Sequence, residues 1–262
     1  MKKKLIKIIV GIVTVAIIIL AFIWNRYFVK TSLFAEYISL EGQEVYILGT
    51  LHKSHFDKIF NYSMEDILSV VENVQPDVVF IEAREDTYEE YGAVDGPIDM
   101  NVVYSYCVEH SIATGLVDWW VIDNNFKSDT TSKLRDDNIF NNITEKLSEY
   151  GPDTTVLVVC GSGHFYPQSQ RMRENGFEKA TIKDKKSYFK SAQIEFSYPS
   201  CTSEVWEKRA YFYAYIQPEI VAQDENLNEE IKVQFTEGNH DAFYESQLKY
   251  CEMFEKNILF NE

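Results

Sequence analysis

Residues 155–164 read TVLVVCGSGH, and this stretch decides the fold class. Five of its first six residues are apolar on both faces of an extended chain, which is typical of a buried strand in a parallel sheet. Two glycines and a histidine follow at once, and glycine allows the tight turn that such a sequence predicts. Residues 43–48 lead into Gly-Thr-Leu-His at 49–52 in the same way. The chain therefore has two buried strands that each end in a Gly-x-x-His turn.

The neighbouring segments alternate between strand and helix. Residues 76–84, PDVVFIEAR, begin with a turn and continue as a third apolar strand. Before it, Ser63 and Asp66 form a capping-box pattern that predicts the start of a helix. Strand, helix and strand between residues 43 and 82 make a βαβ unit, whose crossover is almost always right-handed.

The same alternation continues along the chain. Helices are predicted at 101–110, 132–149, 168–174 and 241–256, and strands at 114–119, 155–160, 179–182 and 211–215. Residues 34–40 and 43–48, on either side of Glu41-Gly42, predict a hairpin. We therefore predict an α/β fold in which duplicated βαβ units form a mostly parallel sheet flanked by helices.

Residues 5–24 form an apolar run that only Lys7 interrupts. Twenty helical residues extend about 30 Å, the thickness of the hydrocarbon core of a bilayer. More basic residues precede the run than follow it, which favours a cytoplasmic N-terminus. We predict a single-pass transmembrane helix in the cell membrane, with the rest of the chain extracytoplasmic. The alternative is a cleaved signal peptide, but residues 21–25, AFIWN, offer no small-x-small cleavage site.

The charge divides the chain at the same place. Residues 1–30 hold six of the 25 basic and none of the 41 acidic residues, so residues 31–262 carry a net charge of −22. We predict a basic tail and anchor over 1–30 and one α/β domain over 31–262. Such an acidic domain repels nucleic acid, whereas it attracts a metal ion or a cationic peptide. The alternative is that the acidic residues only maintain solubility.

Four polar side chains lie at the carboxyl ends of predicted strands. They are His52, Glu82, Asp118 and His164. In open parallel sheets, ligands bind where the strands end and the following loops begin. If these strands are neighbours, the four side chains converge on one edge of the sheet and form a candidate site. The alternative for each histidine taken singly is a structural role.

Glu82 ends an otherwise apolar strand, where an ionised carboxylate is costly without a partner. Arg84, two residues later, points to the same side of a strand and is the predicted partner. On the helix at 132–149, Arg135 and Asn138 share one face and are predicted to turn towards the site. A structural ion pair and a solvated helix face are the respective alternatives.

These motifs resemble the TraB/PrgY/GumN family. The resemblance rests on the hairpin leading into YILGTLH at 46–52, on PDVVFIEAR at 76–84, on GSGH at 161–164, and on Arg135 and Asn138. It covers residues 36–182, the predicted common core. Residues 183–262, the C-terminal extension, resemble no family. The same superfamily includes the TIKI proteases, the erythromycin esterases and the ChaN haem-binding lipoproteins.

The resemblance implies a duplicated α/β fold with an active site made of the two histidines and the glutamate. In the TIKI branch these residues serve metal-dependent peptide cleavage. Carried over, His52, His164 and Glu82 would bind manganese, cobalt or zinc, and Glu82 could be the general base. Arg135 would stabilise an oxyanion, while Arg84, Asp118 and Asn138 would bind substrate. The esterase branch works without metal and uses histidine as base. No nucleotide cofactor is expected.

Three functions remain open at this level. The first is a membrane-anchored hydrolase, a metal-dependent peptidase acting on an extracytoplasmic peptide or protein, with a metal-independent esterase-like enzyme as its variant. The second is a non-catalytic protein that binds and sequesters a peptide pheromone. The third is a haem carrier of the ChaN kind, for which the sequence shows no apolar slot. The sequence alone does not decide between the first two, nor does it give the oligomeric state.

Overall fold

The computed structural model describes residues 2–27, 29–57, 60–125, 130–190 and 198–255. The strands are β1 (Phe34–Ile38), β2 (Glu44–Thr50), β3 (Val78–Arg84), β4 (Ala113–Asp118), β5 (Thr155–Gly161) and β6 (Glu178–Lys179). The helices are α1 (Lys2–Tyr27), α2 (Val29–Ser32), α3 (Met64–Val74), α4 (Glu85–Tyr91), α5 (Ile98–Glu109), α6 (Thr130–Leu147), α7 (Ser162–Glu174), α8 (Lys185–Tyr188), α9 (Thr202–Tyr211), α10 (Gln217–Gln223), α11 (Glu229–Thr236) and α12 (His240–Glu255).

One six-stranded sheet organises the chain, in the order β4-β3-β5-β2-β1-β6. The four strands β4, β3, β5 and β2 are parallel, whereas β1 is antiparallel to both of its neighbours. The prediction of an α/β fold with a mostly parallel, helix-flanked sheet is confirmed. Strand β5 is inserted between β2 and β3, so the first βαβ unit brackets a strand that comes later in the chain.

The apolar runs become the centre of the sheet. Residues Val78–Ala83 of β3 and Val156–Gly161 of β5 are all buried, as expected of strands covered on both faces. Helices α3 and α5 pack on one side, and α6 and α7 pack on the other. The predicted capping box starts α3: the Ser63 side chain accepts from Asp66 N–H, and the Asp66 side chain accepts from Ser63 N–H.

The N-terminal helix α1 stands apart from this core. Thirteen of its large apolar side chains, between Ile6 and Trp24, are exposed. A short connection through α2 joins it to β1. No helix among the described residues combines the length and the apolar character that crossing a membrane requires.

The C-terminal extension is helical and packs on the core. Trp206 of α9 and Cys251 and Phe254 of α12 belong to the main apolar cluster. The prediction of a strand at residues 211–215 is wrong, because the segment Phe212–Ile216 forms a π-helical turn that continues α9 into α10. Its aromatic residues lack the strict alternation of a half-buried strand, and Phe212 and Ala214 are buried on a helical surface instead.

Two smaller elements also differ from the expectation. The strand predicted at 179–182 is reduced to the two residues Glu178–Lys179 at the edge of the sheet. The four cysteines are free thiols, so Cys201 and Cys251 form no disulfide here. Cys107 and Cys160 are buried in the core, as expected from their apolar surroundings.

Candidate functional site

Strand order brings the two Gly-x-x-His turns side by side. Strands β2 and β5 are hydrogen-bonded in parallel, with Thr50 opposite Gly161, so both turns leave the sheet at the same level. Strand β3, which carries Glu82, is the other neighbour of β5. The carboxyl ends of three adjacent strands therefore bring His52, Glu82 and His164 to one edge, which we call the catalytic edge.

Glu82 lies at the centre of this edge and is only 3% exposed. One carboxylate oxygen accepts the backbone N–H of Gly161, and the other accepts Arg135 Nη2 at 2.8 Å. Burial raises the pKa of Glu82, and the charges of His164 and Arg135 act against that effect. The glutamate is thus a buried acceptor whose two oxygens are both engaged by N–H donors.

Arg135, on the second turn of α6, joins Glu82 to Asp118 at the end of β4. Its Nε and Nη2 atoms each lie 2.8 Å from an oxygen of Asp118, the two-pronged geometry that guanidinium and carboxylate groups favour. Burial acts to lower the pKa of Arg135, but the hydrogen bonds and charge of Asp118 outweigh it and raise the pKa. These contacts use Nε and Nη2 and, within the described residues, leave Nη1 without a protein acceptor.

His164 sits in the first turn of α7, beside Glu82. Its Nδ1 atom lies 2.7 Å from an oxygen of Asp136, and its Nε2 atom lies 3.5 Å from Glu82 Oε1. Gln168, one turn further along α7, donates to the backbone oxygen and to the carboxylate of Asp136, at 3.0 and 3.4 Å. Asp136 is therefore held by both His164 and Gln168. In turn, Asp136 orients the imidazole so that Nδ1 faces the aspartate and Nε2 faces Glu82 at the centre of the site.

His52 is placed on the other side by an unusual backbone. Its φ is +52°, a left-handed conformation that residues other than glycine rarely adopt. Its Nδ1 atom lies 3.3 Å from both carboxylate oxygens of Asp99, which is fully buried at the start of α5. The imidazole itself is 41% exposed. Strain of this kind persists where the surrounding structure imposes it, and here it aims an accessible imidazole at the site.

The pKa values of His52 and Asp99 shift in opposite directions. Burial acts to lower the pKa of His52, but the hydrogen bond and the charge of Asp99 outweigh it and raise the pKa above its ordinary value. For Asp99, burial acts to raise the pKa, and the hydrogen bond and charge of His52 reverse this and lower it. Asp99 therefore stays ionised at neutral pH and holds a proton on His52 Nδ1.

Position 161 requires glycine, because the side chains of His52 and Glu82 pack closely against its backbone. A Cβ atom built on it would lie 2.6 Å from His52 Nε2 and 3.3 Å from Glu82 Oε2, well inside normal contact for the imidazole. Both side chains therefore approach one bare backbone position, which places the reactive nitrogen of His52 near the Glu82 carboxylate. The second glycine of the same turn, Gly163, has open space around the corresponding position.

Hydrogen bonds with the buried side chains of His55 and Tyr62 hold the first Gly-x-x-His turn in place. The Nε2 atom of His55 accepts Leu51 N–H at 2.6 Å, while its Nδ1 atom lies 2.7 Å from the carbonyl oxygen of Tyr62. The Tyr62 hydroxyl donates to the carbonyl of Gly49 at 2.8 Å. Burial lowers the pKa of His55, which keeps this imidazole neutral. Residue spacing does not indicate this role, because nothing in the sequence distinguishes His55 from an ordinary loop residue.

Two of the predicted site residues lie elsewhere. Arg84 was expected to pair with Glu82, but its backbone N–H and Nε bind the two oxygens of Asp95, at 2.7 and 2.6 Å. Its guanidinium also stacks 3.8 Å from the Trp120 ring centroid. The pairing of β3 with β4 is irregular between Ile81 and Arg84, so the two-residue alternation on which the prediction rested does not hold there. Asn138 donates back to the carbonyl of Leu134 on its own helix and makes no described contact with the central residues.

The aspartates that orient the two histidines were missed. Asp99 lies on a helix whose polar positions are buried by the sheet edge, and residue spacing gives no sign of this. Asp136 does not share the face of Arg135 and Asn138 by helical spacing, yet it is buried against His164 while its neighbour Arg135 reaches Glu82. Arg135 and Asp136 can both contact the site because α6 packs against β4 as well as against α7.

The resemblance to the TIKI branch implies a metal, and the donor set can be compared with that requirement. Both histidines carry an aspartate on Nδ1, as metal-binding histidines usually do. However, both oxygens of Glu82 already accept hydrogen bonds, Oε2 from Gly161 and Oε1 from Arg135. The guanidinium of Arg135 thus provides a positive charge beside Oε1. Among the described residues, no group of three His, Cys, Asp or Glu side chains has a metal-binding arrangement. The site as arranged does not fit a metal ion.

Comparisons with known proteins add no further constraint. No family model, curated protein or solved structure matches this chain.

Proposed function

We propose that this chain is a membrane-attached hydrolase of the TraB/PrgY/GumN kind that cleaves peptide bonds without a metal ion. One observation carries the proposal: two imidazoles, each held by a buried or half-buried aspartate, converge on one ion-paired glutamate at the open end of a parallel sheet. Paired titratable groups in such a place are typical of catalytic rather than structural sites.

His52 is the general base in this proposal. Its Nε2 atom removes a proton from a water molecule as the water oxygen attacks the substrate carbonyl. Asp99 supports the step because it stabilises the imidazolium that forms and holds the correct tautomer, the role that aspartate has in hydrolytic triads. The exposure of the imidazole allows water and substrate to reach it. The proton then passes to the nitrogen that leaves.

Arg135 stabilises the negative charge that develops on the carbonyl oxygen. Its Nη1 group is the part of the guanidinium that the contacts with Asp118 and Glu82 leave available. A donor that is fixed in advance stabilises a developing oxyanion strongly, because no reorganisation is needed during the reaction. Glu82 and Asp118 hold the guanidinium in place, and Glu82 also fixes the Gly161 backbone beside His52. The Nε2 atom of His164 lies 3.5 Å from the Glu82 oxygen that accepts from Arg135.

Helix α1 supports the proposed attachment to a membrane. An isolated helix with thirteen large exposed apolar side chains is unfavourable in water and favourable in a bilayer. The basic residues that precede the apolar run favour an extracytoplasmic position for the domain. The net charge of −22 over residues 31–262 favours cationic peptides as substrates, since opposite charge raises the rate of encounter.

Activity of the full chain in detergent tests the proposal, with a pool of internally quenched, lysine-rich peptides as the probe. We expect cleavage by the wild type and a loss of about 10²- to 10⁴-fold in His52→Ala, the usual contribution of a general base. His110→Ala is the matched control, because His110 is exposed and, among the described residues, contacts Tyr106 of the preceding helix through its carbonyl oxygen and its ring. Equal activity in both variants would remove His52 as the general base. Tight binding without cleavage by the wild type would leave a peptide-binding protein instead.

A metal-dependent peptidase is the second candidate. It is favoured by the aspartate on Nδ1 of each histidine, which leaves both Nε2 atoms directed inward. In that case His52, His164 and Glu82 would bind manganese, cobalt or zinc after Arg135 moves away from the carboxylate. Elemental analysis of the purified chain distinguishes the two candidates.

A further inference from the structure

We propose that the catalytic edge faces the membrane, so that the enzyme acts on polypeptides held at the bilayer surface rather than on freely diffusing ones. This inference rests on the membrane attachment proposed above and concerns the substrates that reach the same site. It follows from where the chain enters the sheet after helix α1.

The entry point is on the catalytic edge. Because β1 is antiparallel to β2, its first residue, Phe34, lies opposite Leu48 at the carboxyl end of β2. Just before it, the carbonyl of Leu33 accepts Gly49 N–H at 2.7 Å. Gly49 is the first residue of the turn that ends in His52. The segment from α1 and the general base are therefore attached to the same end of the same strand.

The connecting segment is fixed to the domain. Lys30 in α2 forms a 2.8 Å ion pair with Asp66 of α3, and its ammonium also lies 5.7 Å from the Phe189 ring centroid. Lys185 of α8 donates to the carbonyl oxygens of Thr31 and Phe34. These contacts hold α2 and the start of β1 against α3 and α8. The chain therefore leaves the domain towards α1 from a fixed place.

The reach of the site follows from chain lengths. Six residues separate Tyr27, the last residue of α1, from Phe34, and an extended chain covers at most about 3.6 Å per residue. Gly49 and His52 are three residues apart. By any path, His52 therefore lies within about 40 Å of the end of α1. The hairpin containing Leu40 lies at the opposite end of the sheet, separated from the catalytic edge by the length of β2, about 20 Å.

The rim of the catalytic edge fits this orientation. Val121 follows β4, Leu134 precedes Arg135 on α6, and Tyr166 lies in the first turns of α7 after β5. Their side chains are 47%, 52% and 60% exposed. Apolar side chains that are exposed around one end of a domain are typical of contact with a membrane surface or a large ligand. All three follow strand ends or lie in the first turns of helices at the end of the sheet where the chain enters from α1.

The orientation can be measured without any activity. The full chain, in a Cys201→Ser background, carries a nitroxide at Tyr166→Cys or at Leu40→Cys and is reconstituted in vesicles. A Ni²⁺-chelating lipid headgroup serves as the relaxation agent. We expect relaxation of the label at 166 to increase severalfold more than at 40. Val121→Cys repeats the measurement on the same edge with an independent label.

Equal or greater relaxation at 40, or a chain that does not float with the vesicles, would overturn the inference. A second measurement addresses the substrate: one quenched lysine-rich peptide is offered either free or attached to a lipid in the same vesicles. We expect at least tenfold faster cleavage of the attached peptide, and equal rates would contradict the preference for surface-bound polypeptides. If neither form is cleaved while label 166 contacts the lipid, the proposed hydrolysis fails and the orientation stands.

Discussion

The Nδ1 atom of His52 lies 3.3 Å from both carboxylate oxygens of Asp99, a residue 47 positions later in the chain. Asp99 is fully buried, while the imidazole that it holds is partly open to solvent. A buried anion beneath an accessible imidazole fixes the tautomer and raises the basicity of the outward nitrogen. This relationship leads to the first two predictions.

Replacing Asp99 with asparagine tests the base. Hydrolysis needs neutral His52, so activity rises with pH through the pKa of His52, which Asp99 holds above its ordinary value of 6.5. In Asp99→Asn we expect this limb of the pH–rate profile to move to lower pH and the maximal rate to fall by at least tenfold. Asp137→Asn is the control, because Asp137 pairs with Arg171 outside the site. A profile that does not move would remove His52 as the base.

The same pair links stability to pH. Because the pKa of His52 is higher in the folded protein than its ordinary value of 6.5, its contribution to the free energy of unfolding is fully present below pH 6.5. That contribution is lost as the pH rises through the folded pKa. We expect urea unfolding of the wild type to show a decline above pH 6.5 that His52→Gln lacks. Parallel curves for the two proteins would mean that the pair does not affect stability in this range.

Gly161→Ala and Gly163→Ala form a matched pair of substitutions. A methyl group at 161 would lie 2.6 Å from His52 Nε2, so the imidazole must move away. We expect activity to fall by at least tenfold and stability by about 1–3 kcal/mol, as in other over-packed sites. A methyl group at 163 meets open space within α7 and should leave activity unchanged and stability equal or slightly higher. Thermal unfolding and peptide cleavage measure both effects.

Arg135→Met leaves two buried carboxylates without their shared cation. Removing one partner of a buried ion pair typically destabilises a protein by about 3–5 kcal/mol, and the proposed oxyanion donor is lost as well. We expect a clear fall in the melting temperature together with loss of cleavage. Arg135→Lys should recover part of the stability but little of the activity, since lysine cannot bridge Glu82 and Asp118 with the same geometry. Arg171→Met, at the Asp137 pair, is the control.

Metal content separates the two candidate functions. The purified chain is incubated with manganese, cobalt or zinc, desalted, and analysed beside the His52→Ala/His164→Ala variant. We expect equal and negligible metal in both proteins, because Arg135 already provides the cation at Glu82. One equivalent of metal in the wild type that is absent from the variant would establish the metal-dependent candidate and make Arg135 a residue that moves on metal binding.

The sequence by itself determined the central strands, several of the helices and the main members of the candidate site. Apolar runs such as 78–81 and 156–160 can only be covered strands, and the Ser63–Asp66 capping box is a local pattern that does not depend on distant residues. The principle that ligands bind at the carboxyl ends of parallel strands then selected His52, Glu82 and His164. These predictions needed only periodicity and position along a strand.

The tertiary structure alone decided which strands are neighbours and which partners the site residues find. The insertion of β5 between β2 and β3 is a long-range pairing that no local pattern encodes. Asp99 reaches His52, Asp136 reaches His164, and Arg135 rather than Arg84 reaches Glu82. Each of these contacts depends on how a helix packs against the sheet, and a rotation of one residue along a helix turns a side chain by about 100°. Local sequence cannot fix that rotation, because it is set by the packing of distant segments.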